Sequence, residues 1–262
     1  MRGRRIMGGS ARGKAMVCPA PLSFLGGVDP SSGKILDPDC AVHGSTVRGK
    51  ILCFPYGRGS TVGSYAIYQL RLNGKAPAAI VNRSAEPIIA TGAIMSDIPM
   101  VDNVDTSLIM NGDSVVVEAS SGTVELKGVR ERHVVTSILR NGAKMLLLRR
   151  SEEVGSYQRQ WAGVSGFIEE GETDIYAARR EIAEEVGLIA TKPTKHISPE
   201  SFRNGDTVWT VHAFLFDVAT RRISTDWEHD EYKWIRPDEL AQYNTVPGLG
   251  VVAKRLLDES IP

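Results

Sequence analysis

Between Gly166 and Leu188 the chain reads GFIEEGETDIYAARREIAEEVGL, and no other stretch restricts its possible folds so tightly. On a helix, Glu181, Glu184 and Glu185 stand at i, i+3 and i+4, so three carboxylates meet on one surface while Ile175, Ala178 and Ile182 form another. The pattern predicts a helix over 173–186, which Gly187 ends as a C′ glycine. Like charges this close destabilise an isolated helix by roughly 0.2–0.5 kcal/mol per pair, and a bound cation is the natural compensation. Oxygen ligands suit a hard divalent ion, Mg²⁺ first. Arg180, four residues before Glu184 and eight after Glu172, is placed to hold one carboxylate by a charge-assisted hydrogen bond and orient the cluster. The plain alternative is a solvated, glutamate-rich helix face.

The rest of the chain divides around this segment. At 262 residues it suggests roughly two domains. Its 31 basic and 31 acidic residues balance, and with 42% hydrophobic residues this excludes a disordered chain and argues against one that grips a nucleic-acid polymer. The balance hides an asymmetry: residues 1–130 carry 14 basic and 10 acidic side chains, and residues 131–262 carry 17 and 21. The boundary is expected at 129/130, where VVVEASSGTVELKGV reads as a hairpin and HVVTSIL opens a fresh strand. No apolar run is long enough to span a bilayer and the start lacks a secretory pattern, so the expectation is a cytoplasmic protein without a membrane partner. Cys18, Cys40 and Cys53 are an odd number with no C-x-x-C pair, which rules out a disulfide framework and argues against a resident iron-sulfur site; each is read as a small buried hydrophobe. In the first half, KILCF, AAIVN, IIATGAIM and SVVVEAS read as strands, and TVGSYAIYQLRL as a helix over 61–72 fed by the glycine turn GRGS. The five histidines are scattered and show no metal-ligand spacing.

Gly166, Glu172 and the run Arg180-Glu181-Ile182-Ala183-Glu184-Glu185-Val186-Gly187-Leu188 match every constant position of the Nudix box, and residues 133–257 resemble a Nudix hydrolase. The resemblance implies Mg²⁺ held by Glu181, Glu184 and Glu185, with Glu184 also catalytic and Gly166, Glu172 and Arg180 in support. It further implies cleavage of a diphosphate in a small phosphorylated substrate by metal-activated water. Arg149, Arg150 and Arg159 are candidates to meet phosphates, and Trp161 or Tyr157 to stack on a base or an apolar tail; ordinary surface or core duty is the competing reading.

Four segments of the first half, PLSFLGGVDPSSGKILDPD, GKILCFPYGRGSTVGSYAIYQL, NGKAPAAIVN and GAIMSDIPMVD, resemble in order the small subunit of archaeal-type phosphomevalonate dehydratase, the swivelling domain of the aconitase X family. Cys40 stands where members often carry His. The resemblance implies dehydration of mevalonate 5-phosphate to anhydromevalonate phosphate, with Ser60 as the base. It also implies an iron-sulfur cluster on a separate large subunit, not on this chain. Independently, glycines let the GRGST backbone turn its N–H groups toward an anion at a helix start, so Arg58, Gly59 and Thr61 are candidate substrate contacts; without the flanking likeness, GRGS reads as a turn with an N-cap serine. Gly26, Gly27 and Asp29 read as a structural turn or an interface loop.

The expected architecture is therefore α/β in two domains: a β-rich aconitase-type swivel domain over 1–129 and a Nudix α/β/α sandwich with a mixed sheet over 130–262. The expected function is a dehydratase small subunit fused to a Mg²⁺-dependent Nudix hydrolase. The alternative is a Nudix nucleoside- or prenyl-diphosphate hydrolase whose N-terminal half only docks or regulates.

Overall fold

The computed structural model describes residues 1–258. The chain forms two compact units, Met1–Arg130 and Glu131–Pro262. The N-terminal unit contains β1 (Arg4–Met7), β2 (Ser10–Val17), β3 (Leu22–Ser23), β4 (Ile51–Phe54), β5 (Gly57–Arg58), α1 (Gly63–Leu72), β6 (Ala79–Asn82), α2 (Pro87–Met95), β7 (Met100–Asp102), β8 (Ser114–Glu118) and β9 (Thr123–Lys127). Its main sheet runs β1-β7-β6-β4-β2-β8-β9. The central strands β2, β4, β6 and β7 are parallel, and both flanks are antiparallel. Arg2 bridges to Thr123, which brings the two ends of the sheet together. Strands buried on both faces read as unbroken apolar runs, and β4 (ILCF) and β6 (AIVN) are wholly buried. One core, with Ile51, Val81, Val117 and Val124, fills one side of the sheet. The other, with Leu52, Phe54 and Ile80, packs against Ile67 and Leu70 of α1 and Ile89 and Ala93 of α2.

Two local readings are corrected. IIATGAIM is not a strand but most of α2. Glu86 accepts the Ile88 and Ile89 N–H groups at 2.7 and 3.0 Å, and Pro87 supplies helical φ at the first turn, so the cap outweighs the β-branched run. Gly92 then lets α2 lie directly on Ile67 of α1. The helix expected from residue 61 begins at Gly63, with Thr61 and Val62 in the turn before it.

The cysteines are also corrected. All three are buried, but Cys18 and Cys40 form a disulfide, with Cα atoms 5.2 Å apart across 22 residues. Spacing along the chain carries no information about this pairing, because the loop after β3 returns to bring Cys40 against the end of β2. Cys53 is a free thiol whose burial pushes its pKa up to about 12.

The C-terminal unit contains β10 (Arg130–Asn141), β11 (Lys144–Arg150), β12 (Trp161–Ala162), β13 (Val164–Phe167), α3 (Asp174–Val186), β14 (Lys195–Asn204), β15 (Thr207–Asp217), β16 (His229–Ile235) and α4 (Leu249–Leu257). The sheet runs β12-β11-β10-β15-β14, with β13 paired to β10 and β16 to β11. Antiparallel pairs are joined by a parallel bridge between Trp161 and Thr245. Side-chain alternation assigns the faces: Val135, Leu139, Phe214 and Phe216 meet Ala178 and Ile182 of α3, whereas Ile138, Ala213 and Leu215 meet Val252 and Leu256 of α4. The result is an α/β/α sandwich, and α3 is the charged helix expected from the sequence.

Candidate functional sites

The N-terminal candidate is built where two short strands, β3 and β5, lie side by side in parallel, pairing Ser23 with Arg58. Gly59 follows at φ +105, in the region that favours glycine, and turns the chain so that Ser60, Thr61 and Val62 project at the start of α1. Ser60 is exposed, and its Oγ accepts the Val62 N–H at 3.3 Å. Arg58 does not reach out as an unpaired clamp. Its Nη2 donates to Asp37 at 2.9 Å and lies 3.6 Å from Asp39. Asp37 is buried and also accepts the Ser23 N–H, and the Arg58 hydrogen bond holds its carboxyl below the usual range. The physical reason is compensation: a buried carboxylate without this partner is costly. Asp37 and Asp39 lie in the KILDPD segment, where no period or motif spacing marks them as partners of Arg58. Gly26 (φ +76) lies in one turn and Asp29 caps the next: Asp29 accepts from Ser31 and Ser32, and these hydrogen bonds pull its pKa down to about 2. Among this unit's cysteines, one pair is bonded and the third is buried and protonated, so they do not fit the ligand set of an iron-sulfur cluster.

The C-terminal candidate is built on α3. Thr173 caps the helix by accepting the Tyr176 N–H at 3.3 Å, and Gly187 closes it at φ +67. Arg180 is the hub. It donates to Glu172 at 2.9 Å, Glu181 at 2.7 Å, Glu184 at 3.0 Å and the Phe167 carbonyl at 3.0 Å. Glu172 is thereby held below the usual carboxylate range, while Arg180 is raised. Gly166 leaves room for Glu181, whose carboxylate occupies the space a Cβ would need.

The three metal candidates occupy different depths. Glu184 is 58% exposed, Glu181 is 13% exposed, and Glu185 is buried. Glu185 accepts the Ser165 N–H at 3.1 Å with Oε1, but its buried Oε2 has no hydrogen-bond partner. Burial raises Glu181 and pushes Glu185 well up; Glu228 and, for Glu185, Asp226 add repulsion. Glu228 itself is raised by burial and Asp226. Among the described residues no three acidic, His or Cys side chains form a ready metal cage, because Arg180 takes Glu181 and Glu184. The three carboxylates stand on one surface of α3, as their spacing requires, but at different depths and with two of them held by Arg180. The orphaned Oε2 and the excess of nearby carboxylates nevertheless fit a hard divalent cation by donor chemistry.

Sequence reasoning missed Asp226, Glu228 and His229, which approach α3 from the start of β16. His229 lies with Nδ1 3.2 Å from Asp226 and Nε2 3.7 Å from Glu185, and burial lowers its pKa. The only available signal was the acidic run DWEHDE, which no helix or strand period distinguishes. The arginine and aromatic candidates before the box have protein partners: Arg149 binds Asp230 and Glu231, Arg159 binds Glu152, Arg150 donates to the Ser156 carbonyl, and Trp161 packs edge-on against Tyr243. Tyr157 sits in a turn at φ +52. His133 and His212 are not isolated: their rings meet at 3.2 Å, and His212 bonds Asp174.

Together these features define a swivel-type α/β domain with a glycine-turned serine loop, joined in one chain to a sandwich with a glutamate helix. Comparison with known proteins agrees: the aconitase X swivel domain family matches residues 1–126, and the NUDIX domain family matches residues 130–256. The chain is 56% identical over 126 residues to the phosphomevalonate dehydratase small subunit of Thermococcus kodakarensis, covering 48% of this chain and 95% of that relative. Among solved structures it is similar to Thermococcus kodakaraensis aconitase X in its holo-form, at 56% identity over 48% of this chain and 95% of that one, with a TM-score of 0.47. It is also similar to the MutT protein of Methanosarcina mazei Go1, at 25% identity over 48% and 93%, with a TM-score of 0.42. The chain belongs to the phosphomevalonate dehydratase small-subunit family of aconitase X swivel domains through its N-terminal half, and it carries a NUDIX domain in its C-terminal half. Among the described residues no helix is long and apolar enough to cross a membrane.

Proposed function

We propose that this chain is a cytoplasmic, bifunctional enzyme component: the small subunit of a phosphomevalonate dehydratase, fused to a Mg²⁺-dependent Nudix diphosphate hydrolase. The observation that carries the first half is the 56% identity spanning 95% of a dehydratase small subunit, which includes the loop that projects Ser60. In this reading Ser60 Oγ takes a proton from the carbon next to the substrate carboxylate as mevalonate 5-phosphate loses water. Ser60 acts as its alkoxide, whose negative charge the Val62 N–H stabilises until the proton arrives, and Gly59 and Thr61 shape the anion-binding turn. Arg58 acts through its pairing with Asp37, which ties the loop to the adjacent β3 turn. The iron-sulfur cluster belongs to a separate large subunit, in keeping with the cysteines described above.

In the second half, Glu181, Glu184 and Glu185 are the residues that would hold Mg²⁺. Gly166, Glu172 and Arg180 position them. When bound, Mg²⁺ supplies polarisation of a diphosphate and activation of water.

The test is anaerobic reconstitution of the full chain with a cluster-loaded large subunit, assaying phosphomevalonate dehydration and diphosphate hydrolysis in parallel. Ser60→Ala is expected to abolish dehydration and leave hydrolysis, and Glu184→Gln the reverse. Full dehydration by Ser60→Ala in a formed complex would overturn the base assignment. An inactive wild-type complex would reduce the N-terminal half to a docking or regulatory module.

A further inference from the structure

The sheet face covered by α4 extends beyond the helix. Ile138, Ala213 and Leu215 lie beneath α4. One step along the same strands, Thr136 and Val211 emerge past its N-terminal end and, with Phe202, Val246, Val251 and Val252, line a cavity of about 380 Å³. This is within the usual size of a small-molecule site. Strand register continues the surface outward. Thr136 pairs with Ser165 and Val134 with Phe167, while Phe202 pairs with Trp209. The next row on this face is therefore Phe167 and Trp209, with ring centroids 6.0 Å apart and Phe167 53% exposed.

The polar side chains around the cavity already serve one another. Glu200 is ion-paired with Arg255, the Ser201 and Thr210 hydroxyls share a hydrogen bond at 2.9 Å, and Thr136 Oγ1 accepts from Ser165 Oγ at 3.2 Å. What faces an occupant is mainly hydrocarbon. A nucleobase placed here would bury ring donors and acceptors against a wall whose polar atoms are engaged elsewhere. A branched hydrocarbon chain meets no such conflict and fills the space by dispersion and burial.

The cavity adjoins the glutamate cluster through a single residue. Ser165 gives its hydroxyl to Thr136 on the cavity side and its N–H to Glu185 at 3.1 Å on the other. Since α3 and α4 cover opposite faces of the sheet, a ligand that reaches both must pass the edge of β13 at Ser165, with its anionic head on the glutamate side and its apolar tail on the cavity side. We infer that the cavity seats the hydrocarbon chain of a prenyl-type diphosphate, the substrate class of the hydrolase site. The inference rests on the hydrolase reading and adds the identity of the group attached to the diphosphate. In the reaction, water adds to one phosphorus and the bridging P–O bond breaks, giving the prenyl monophosphate, inorganic phosphate and a released proton.

The test uses the full chain with Mg²⁺ and geranyl diphosphate, compared with ADP-ribose and a nucleoside triphosphate. Geranyl diphosphate is expected to show the highest kcat/KM. Val251→Lys, at the exposed rim, is expected to raise its KM about tenfold with kcat held within about threefold. Nucleotide hydrolysis that is faster and sensitive to Glu184→Gln leaves the hydrolase reading standing and overturns the apolar assignment. An unchanged KM in Val251→Lys overturns the cavity's role. If neither class is hydrolysed, the hydrolase reading falls, and calorimetric titration with geranyl diphosphate decides the cavity: binding weakened by Val251→Lys supports it, and no binding refutes it.

Discussion

Each candidate site sets an arginine among carboxylates, and the two balances come out differently. Around Arg58 the account nearly closes: buried Asp37 is paired and Asp39 stands by in solvent. Around Arg180 it does not, since one guanidinium serves Glu172, Glu181 and Glu184 while Glu185 and Glu228 sit beyond it, and a buried carboxylate oxygen of Glu185 has no hydrogen bond and only His229 at 3.7 Å. The first arrangement pins a loop in place. The second stores a need for positive charge beside a hydrolase motif, so one arginine is structural and the other is only part of the neutralisation.

The comparison can be broken or sharpened by experiment. The largest expected effect is Ser60→Ala, which lowers kcat of the reconstituted dehydratase about 10²–10⁴-fold, the usual contribution of a general base; a change confined to KM assigns Ser60 to binding instead. Next, Glu185→Gln removes one charge of the unbalanced set and weakens Mg²⁺ affinity about 10–100-fold, read by titrating hydrolysis with Mg²⁺; unchanged affinity places the metal elsewhere. Third, Arg180→Ala strands Glu172, whose side chain is 6% exposed, and lowers stability by about 2–3 kcal/mol in urea denaturation. Arg58→Ala strands Asp37 alone and is expected to cost about 1–2 kcal/mol. Equal losses would erase the distinction between the two hubs.

The smallest effect is a difference of sign with pH, measured as Tm without metal. Asp37 is depressed by Arg58, so its contribution is present above the unfolded value of 3.8 and is lost as pH falls through the lower folded value. Glu185 is raised by burial. The folded state holds its proton longer than the unfolded state, and stability falls as pH rises from the unfolded 4.5 through the raised value. Arg58→Ala is expected to flatten the acid limb and Glu185→Gln the limb above it. Mg²⁺ is expected to offset the loss on the second limb.

The glutamate segment was legible because helix period and capping act within a few residues: Thr173, Gly187 and the i, i+3, i+4 carboxylates sit on α3 as their spacing requires. The serine turn was legible for the same reason, since Gly59 dictates a local backbone conformation. Local signals also misled, as in IIATGAIM, where strand-like residues lost to the cap formed by Glu86 and Pro87. What neighbouring sequence could not specify were meetings between distant segments: Asp37 with Arg58, Cys18 with Cys40, and Asp226, Glu228 and His229 with α3. These depend on loop closure and strand order, which burial of the whole apolar surface selects. The sequence by itself therefore determined the two-part α/β organisation and placed the glutamates together on α3. Only the tertiary structure decided which charges are compensated, which are left waiting, and what lines the cavity beside them.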